Sequence, residues 1–145
     1  MAIKMTGVEA RPLKEFVCSV PFGADLLASL KDLIKQLGVH TGTINLIGAL
    51  RSATLQYYIQ DEKRFHTNKF EEPLEIVSGI GNIATLNGEL VVHCHLVLAR
   101  RDGSCLGGHL AEGSKVFAAE VQIRELYPPV ERRFDPVTGL NLQQV

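Results

Sequence analysis

The chain has 145 residues, of which 46% are hydrophobic and 21% charged, a composition typical of one folded domain with a substantial core. Fifteen basic and sixteen acidic residues leave a net charge of −1, so the overall charge offers little attraction for the phosphates of nucleic acid. No apolar run approaches the roughly 20 residues that span a bilayer. The first 12 residues lack a hydrophobic signal segment, and we therefore expect a cytoplasmic protein without a membrane partner.

The first predicted elements are a strand and a helix. Lys14–Val20 alternates as a strand does and ends at Pro21. Apolar residues at helical spacing then predict an amphipathic helix over residues 25–37, with Asp25 in its first turn and Gly38 directly after it. The apolar stripe consists of Leu26, Leu27, Leu30, Leu33, Ile34 and Leu37.

The rest of the chain has the two-residue period of strands. Leu50-Arg51-Ser52 is expected to connect the first two of these strands. One main helix among many strands favours the α+β class with a mostly antiparallel sheet. We expect a single domain over residues 1–145, with an N-terminal arm (1–10) and a surface tail (131–145). The predicted strands are Thr43–Ala49, Ala53–Ile59, Arg64–Phe70, Leu74–Ile80, Leu90–Ala99 and Val116–Leu126.

Two histidines lie on one face of the strand Leu90–Ala99. His93 and His95 point the same way because side chains two residues apart share a face of a strand. The other residues of that face, Val91, Val97 and Ala99, carry no charge, so the face is unsuited to solvent. We expect a neighbouring subunit to cover it.

The type of the next turn decides where a third histidine lies. If Arg101-Asp102-Gly103 is a three-residue loop with Gly103 in the left-handed conformation, His109 pairs directly with His95. A two-residue turn would place His109 on the opposite face, and a bulge at Gly107-Gly108 would also shift the register. A two-residue turn at Asn87-Gly88 places Asn82 opposite His93, where its side chain would orient an imidazole.

Three converging neutral imidazoles suit Zn²⁺ or another divalent metal and leave one coordination position open. The simpler alternative is a set of packed, hydrogen-bonded histidines at a subunit interface. A zinc hydrolase-like enzyme is a further possibility, with Glu112 or Glu120 as the proton carrier, although no spacing argument compels either residue. Arg51 is a candidate anion-binding residue, with an ordinary turn arginine as the alternative.

Several ordered motifs resemble those of the plants-and-prokaryotes-conserved (PPC, or PCC) domain, and the resemblance covers nearly the whole chain from about Arg11 onward. The motifs are Ile47-Gly48-Ala49-Leu50-Arg51-Ser52-Ala53-Thr54-Leu55 followed by Tyr57-Tyr58, Gly81-Asn82-Ile83-Ala84, His93-x-His95, Arg101-Asp102-Gly103, Gly107-Gly108-His109-Leu110 and Glu131-Arg132-Arg133-Phe134-Asp135.

The resemblance implies an α+β fold, assembly as a homotrimer, and metal binding by His93, His95 and His109. It also implies association with DNA by analogy, because plant members join this domain to AT-hooks. The chain has no Arg-Gly-Arg-Pro hook and its charge is nearly balanced, so the DNA interpretation rests on analogy alone. Whether the protein is an enzyme stays open.

Overall fold

The computed structural model describes residues 2–145, and these form one helix and nine strands. The strands pair antiparallel, which confirms the predicted α+β class. The elements are β1 (Arg11–Val20), α1 (Leu26–Gln36), β2 (Gly42–Ile59), β3 (Arg64–Phe70), β4 (Leu74–Leu86), β5 (Glu89–Ala99), β6 (Cys105–Leu110), β7 (Lys115–Tyr127), β8 (Arg132–Asp135) and β9 (Leu140–Gln143).

Helix α1 lies where the apolar stripe predicts it. Asp25 is its N-cap, and the carboxylate accepts a hydrogen bond from the backbone N–H of Ala28 at 3.0 Å. The second oxygen of Asp25 accepts from the backbone N–H of Gly113 at 2.6 Å, which fixes the start of the helix against the loop before β7. Gly38 follows the C-cap Leu37 with a φ of +71°, the conformation that a glycine adopts without strain.

Strand β2 is one continuous strand of 18 residues, not the two strands that we expected on either side of Leu50-Arg51-Ser52. Register shifts opposite β7, between Ala49 and Leu50 and between Leu50 and Ser52, absorb the irregular segment without ending the strand. Its first half pairs with β4 and β7, and its second half pairs with β3 and β6. The long strand therefore connects both ends of the fold.

The main sheet has the order β1-β7-β2-β4-β5-β6, and β6 also pairs with β2. Strands β2, β4, β5 and β6 consequently close on one another, with Leu55 opposite Leu110 and Gln56 opposite His109. This closure places β6 between β5 and β2, and it fixes His109 from two sides.

The core contains apolar residues of α1 and of strands β1, β2, β4, β5, β6 and β7. Within the described residues, α1 is not long and apolar enough to cross a membrane. The C-terminal segment, expected to be a tail, contains the two-stranded hairpin β8–β9. The largest fully buried side chains are Leu26, Leu30, Ile34, Ile44, Leu46, Leu50, Leu55, Ile83, Leu96, Leu98, Leu110 and Ile123.

Candidate metal centre

The turn between β5 and β6 has three residues. The backbone N–H of Arg100 donates to the carbonyl of Ser104 at 2.8 Å, and Gly103 has a φ of +84°. His95 therefore pairs with His109, as the three-residue turn predicts, and the two-residue alternative is wrong. The Gly-Gly pair of β6 does not shift this register.

The turn between β4 and β5 also has the predicted form. Asn87 and Gly88 have φ angles of +51° and +81°, which are the left-handed values of a type I′ turn. The resulting register pairs Asn82 with His93. Two short turns thus set the position of every histidine in the cluster.

The three histidines converge, and one ligand atom of each lies within 4.8 Å of the others. The Nε2 atoms of His93 and His95 are 3.0 Å apart, and the His109 ring centroid lies 5.1 Å and 5.5 Å from those of His93 and His95. Nitrogen ligands of a tetrahedral Zn²⁺ ion are about 3.4 Å apart, given Zn–N bonds of about 2.1 Å. Modest side-chain rotations would therefore bring all three nitrogens to one ion, and the donor set fits a divalent metal.

Burial keeps two of these rings in the neutral form that binds metals. The pKa of His93 is lowered from 6.5 to about 4, mainly by burial and also by the neighbouring His109, His95 and Arg132. Burial also lowers the pKa of His109, with a smaller contribution from His95. Protons therefore compete weakly with a metal for these two nitrogens at neutral pH.

Asn82 lies opposite His93 as predicted, but its carboxamide oxygen accepts a hydrogen bond from Nη2 of Arg132 at 2.6 Å. Nη1 of Arg132 donates to the backbone carbonyl of Asn141 at 2.8 Å. Asn82 therefore fixes an arginine behind the histidines. The sequence alone did not predict Arg132 as a site residue, although the motif Glu131–Asp135 contains it.

A cleft of about 530 Å³ opens beside the histidines. Aromatic rings line one side, with centroid distances of 5.0 Å between Tyr58 and Phe65 and 5.2 Å between Phe65 and His109. The hairpin β8–β9 forms the other side. The lining residues are Gln56, Tyr57, Tyr58, Phe65, Leu86, Val91, Val92, His93, His95, Gly108, His109, Arg132, Leu140, Asn141 and Leu142.

The other residues singled out in the sequence lie outside this cleft. The guanidinium carbon of Arg51 is 5.0 Å from the ring centroid of Phe22, and Arg51 lines a different cavity. The carboxylate of Glu112 lies 3.6 Å from the ammonium of Lys31, and Glu120 on β7 pairs with Ile47 on β2. Neither glutamate lines the histidine cleft, so neither is placed to carry a proton there.

Residues 7–127 match the sequence profile of the Plants and Prokaryotes Conserved (PCC) domain. The chain belongs to this family. This PCC chain also matches the bifunctional protein GlmU of two Synechococcus strains, at 32% identity over 120 residues and 33% over 132 residues. Its matched part covers only 18% and 19% of those proteins, so the chain spans less than a fifth of the curated relatives it matches.

Solved structures share the fold along almost the whole length. A metal-containing protein of Archaeoglobus fulgidus is 36% identical, with a TM-score of 0.91 over 97% of this chain and 100% of that one. A plant- and prokaryote-conserved protein of Pyrococcus horikoshii is 32% identical, with a TM-score of 0.90 over 97% and 98%. A candidate DNA-binding protein of Bacteroides thetaiotaomicron is 28% identical, with a TM-score of 0.85 over 93% and 96%.

Proposed function

We propose that this PCC-domain chain binds one divalent metal ion, of which Zn²⁺ is the best match, through His93, His95 and His109. The observation that carries the proposal is the convergence of three imidazole nitrogens within 4.8 Å. Three neutral nitrogen ligands are the donor set that Zn²⁺ accepts with one position left open. The similarity to the metal-containing protein of Archaeoglobus fulgidus supports a metal here.

Metal analysis of protein purified without a histidine tag tests this site. After zinc supplementation and dialysis, mass spectrometry of the metal content is expected to give about one ion per chain for the wild type, and His93→Ala, His95→Ala and His109→Ala are each expected to lose it. His66→Ala is the matched control, because His66 is exposed on β3 and lies outside the cluster. A metal-free wild type, or full metal content in all three variants, would overturn the proposal.

We further propose that the chain assembles with copies of itself, as a homotrimer. Five exposed apolar side chains lie on strands β1, β2, β4 and β5 of the main sheet, with exposed fractions between 44% and 87%. They are Val17, Ile47, Val77, Ile80 and Val97. Burial of such a surface favours association. Sedimentation equilibrium is expected to give three times the mass of one chain, and Ile80→Asp is expected to reduce the measured mass to that of a single chain. A monomeric wild type would contradict the assembly.

A DNA-associated role is the second candidate, and the name of the Bacteroides thetaiotaomicron structural neighbour favours it. The charges give it little support, because Arg100 pairs with Glu72 at 2.9 Å and Arg124 with Glu15 at 2.7 Å. Duplex binding that weakens steeply with added salt would support this role. Absence of binding at low salt would eliminate it, whatever the metal content.

A further inference from the structure

The cleft beside the histidines has an apolar surface that is continuous with them. The ring centroid of Phe65 lies 5.2 Å from that of His109. The Phe65 side chain is 39% exposed, so part of its ring is free to contact a ligand. Leu140 and Leu142 of β9 line the opposite side. A volume of about 530 Å³ is in the range of small-molecule sites, roughly 300–1,000 Å³. The space therefore suits the apolar body of a small organic molecule.

The same cleft carries a positive charge that no described residue in its lining neutralises. Both hydrogen-bond acceptors of the Arg132 guanidinium, Asn82 and the carbonyl of Asn141, are uncharged. Nε of Arg132 is buried and has no hydrogen-bond partner among residues 2–145. Among the described residues that line the cleft, none is Asp or Glu. A divalent ion on three neutral imidazoles would add two further positive charges, so the site favours an anion.

We propose that this cleft binds a small organic carboxylate, with its apolar body against Phe65 and its negative charge beside Arg132 and the histidine cluster. The inference rests on the proposed metal site, because that ion supplies most of the positive charge. Neither a purely apolar ligand nor inorganic phosphate would use both features. A carboxylate with an aryl or alkyl chain uses the aromatic side and the charge together.

Calorimetric titration of the zinc-loaded full chain tests this ligand class. The probe is 4-phenylbutanoate, compared with its neutral amide and with acetate, in a buffer that does not bind metals. We expect one molecule of 4-phenylbutanoate to bind per chain, with a Kd at least about tenfold lower than that of either comparison ligand. The amide lacks the charge and acetate lacks the apolar body. In protein loaded with Co²⁺, its addition is expected to change the visible absorption spectrum.

Two pairs of variants separate the contributions. Phe65→Ala and Arg132→Gln are each expected to weaken binding of 4-phenylbutanoate about tenfold. Their matched controls are Phe134→Ala and Arg133→Gln, since both of these residues are exposed on β8 and lie outside the cleft. Urea unfolding of each variant shows whether it is folded, and Phe65→Ala keeps the test valid if Arg132→Gln loosens the hairpin.

Zinc content is measured before any ligand is added, so the two proposals fail separately. One zinc per chain with equal affinity for the carboxylate and the amide, or unchanged affinity in Phe65→Ala, would overturn the carboxylate proposal and leave the metal site intact. Binding by a metal-free protein that still requires Phe65 and Arg132 would support the organic-anion cleft and overturn only the metal.

Discussion

The two faces of β5 share one backbone and differ in their surroundings. Cys94, Leu96 and Leu98 are at most 2% exposed and belong to the core. On the other face, His93 is half-buried and His95 is exposed, and both residues border the cleft. The same backbone pairing with β4 and β6 holds both rows of side chains. The pleat of a single strand therefore separates the residues that stabilise the fold from those available for binding.

The largest expected effect is on the buried face. Leu98 is 0% exposed, so Leu98→Ala should lower the free energy of unfolding by about 2–5 kcal/mol, measured by urea denaturation. Leu13→Ala is the matched control, because Leu13 is 45% exposed on the edge strand β1 and should cost less than about 0.5 kcal/mol. The folded fraction of Leu98→Ala should keep its zinc. A cost below about 1 kcal/mol would contradict the separation of the two faces.

A second substitution should affect both faces together. A Cβ atom on Gly81 would lie 2.4 Å from the carbonyl oxygen of His93, so Gly81→Ala would force β5 away from β4 at the histidines. We expect a loss of stability of about 1–3 kcal/mol and zinc affinity about tenfold lower, measured by denaturation and competition with a chelator. Gly7→Ala is the control, since no atom of the described part of the chain lies within 4 Å of the added Cβ there. Wild-type zinc affinity in Gly81→Ala would argue against the expected displacement.

The smallest expected effect is a dependence of stability on pH from the binding face. In metal-free protein the unfolded chain takes up a proton at His93 near pH 6.5, whereas the folded chain does so only near pH 4. The free energy of unfolding should therefore fall as the pH drops from 6.5 to 4, by on the order of 1 kcal/mol because the ring is half exposed.

His93→Gln should flatten this part of the profile, measured by urea denaturation at several pH values in the presence of a chelator. His66→Gln should leave the slope as it is, since His66 is exposed and lies outside the cluster. An unchanged slope in His93→Gln would assign the acid sensitivity to other groups.

Local sequence predicted much of the fold because each signal involves neighbouring residues. The helix follows from its apolar stripe and the capping carboxylate of Asp25. The convergence of the histidines follows from the left-handed residues Asn87, Gly88 and Gly103, which select the turn types and thereby the register. Leu50-Arg51-Ser52 was predicted wrongly from its local sequence, which is typical of a connection between strands. Pairing with the distant strand β7 keeps this segment inside β2.

The sequence by itself determined that the three histidines lie together, since two tight turns and the two-residue period of a strand place them on one face. Only the tertiary structure decided what surrounds them. Phe65 reaches His109 through the pairing of β2 with both β3 and β6, and Arg132 reaches Asn82 from 50 residues away. Such contacts depend on the packing of distant segments, which no local pattern encodes, whereas a turn is fixed by the φ angles of its own residues.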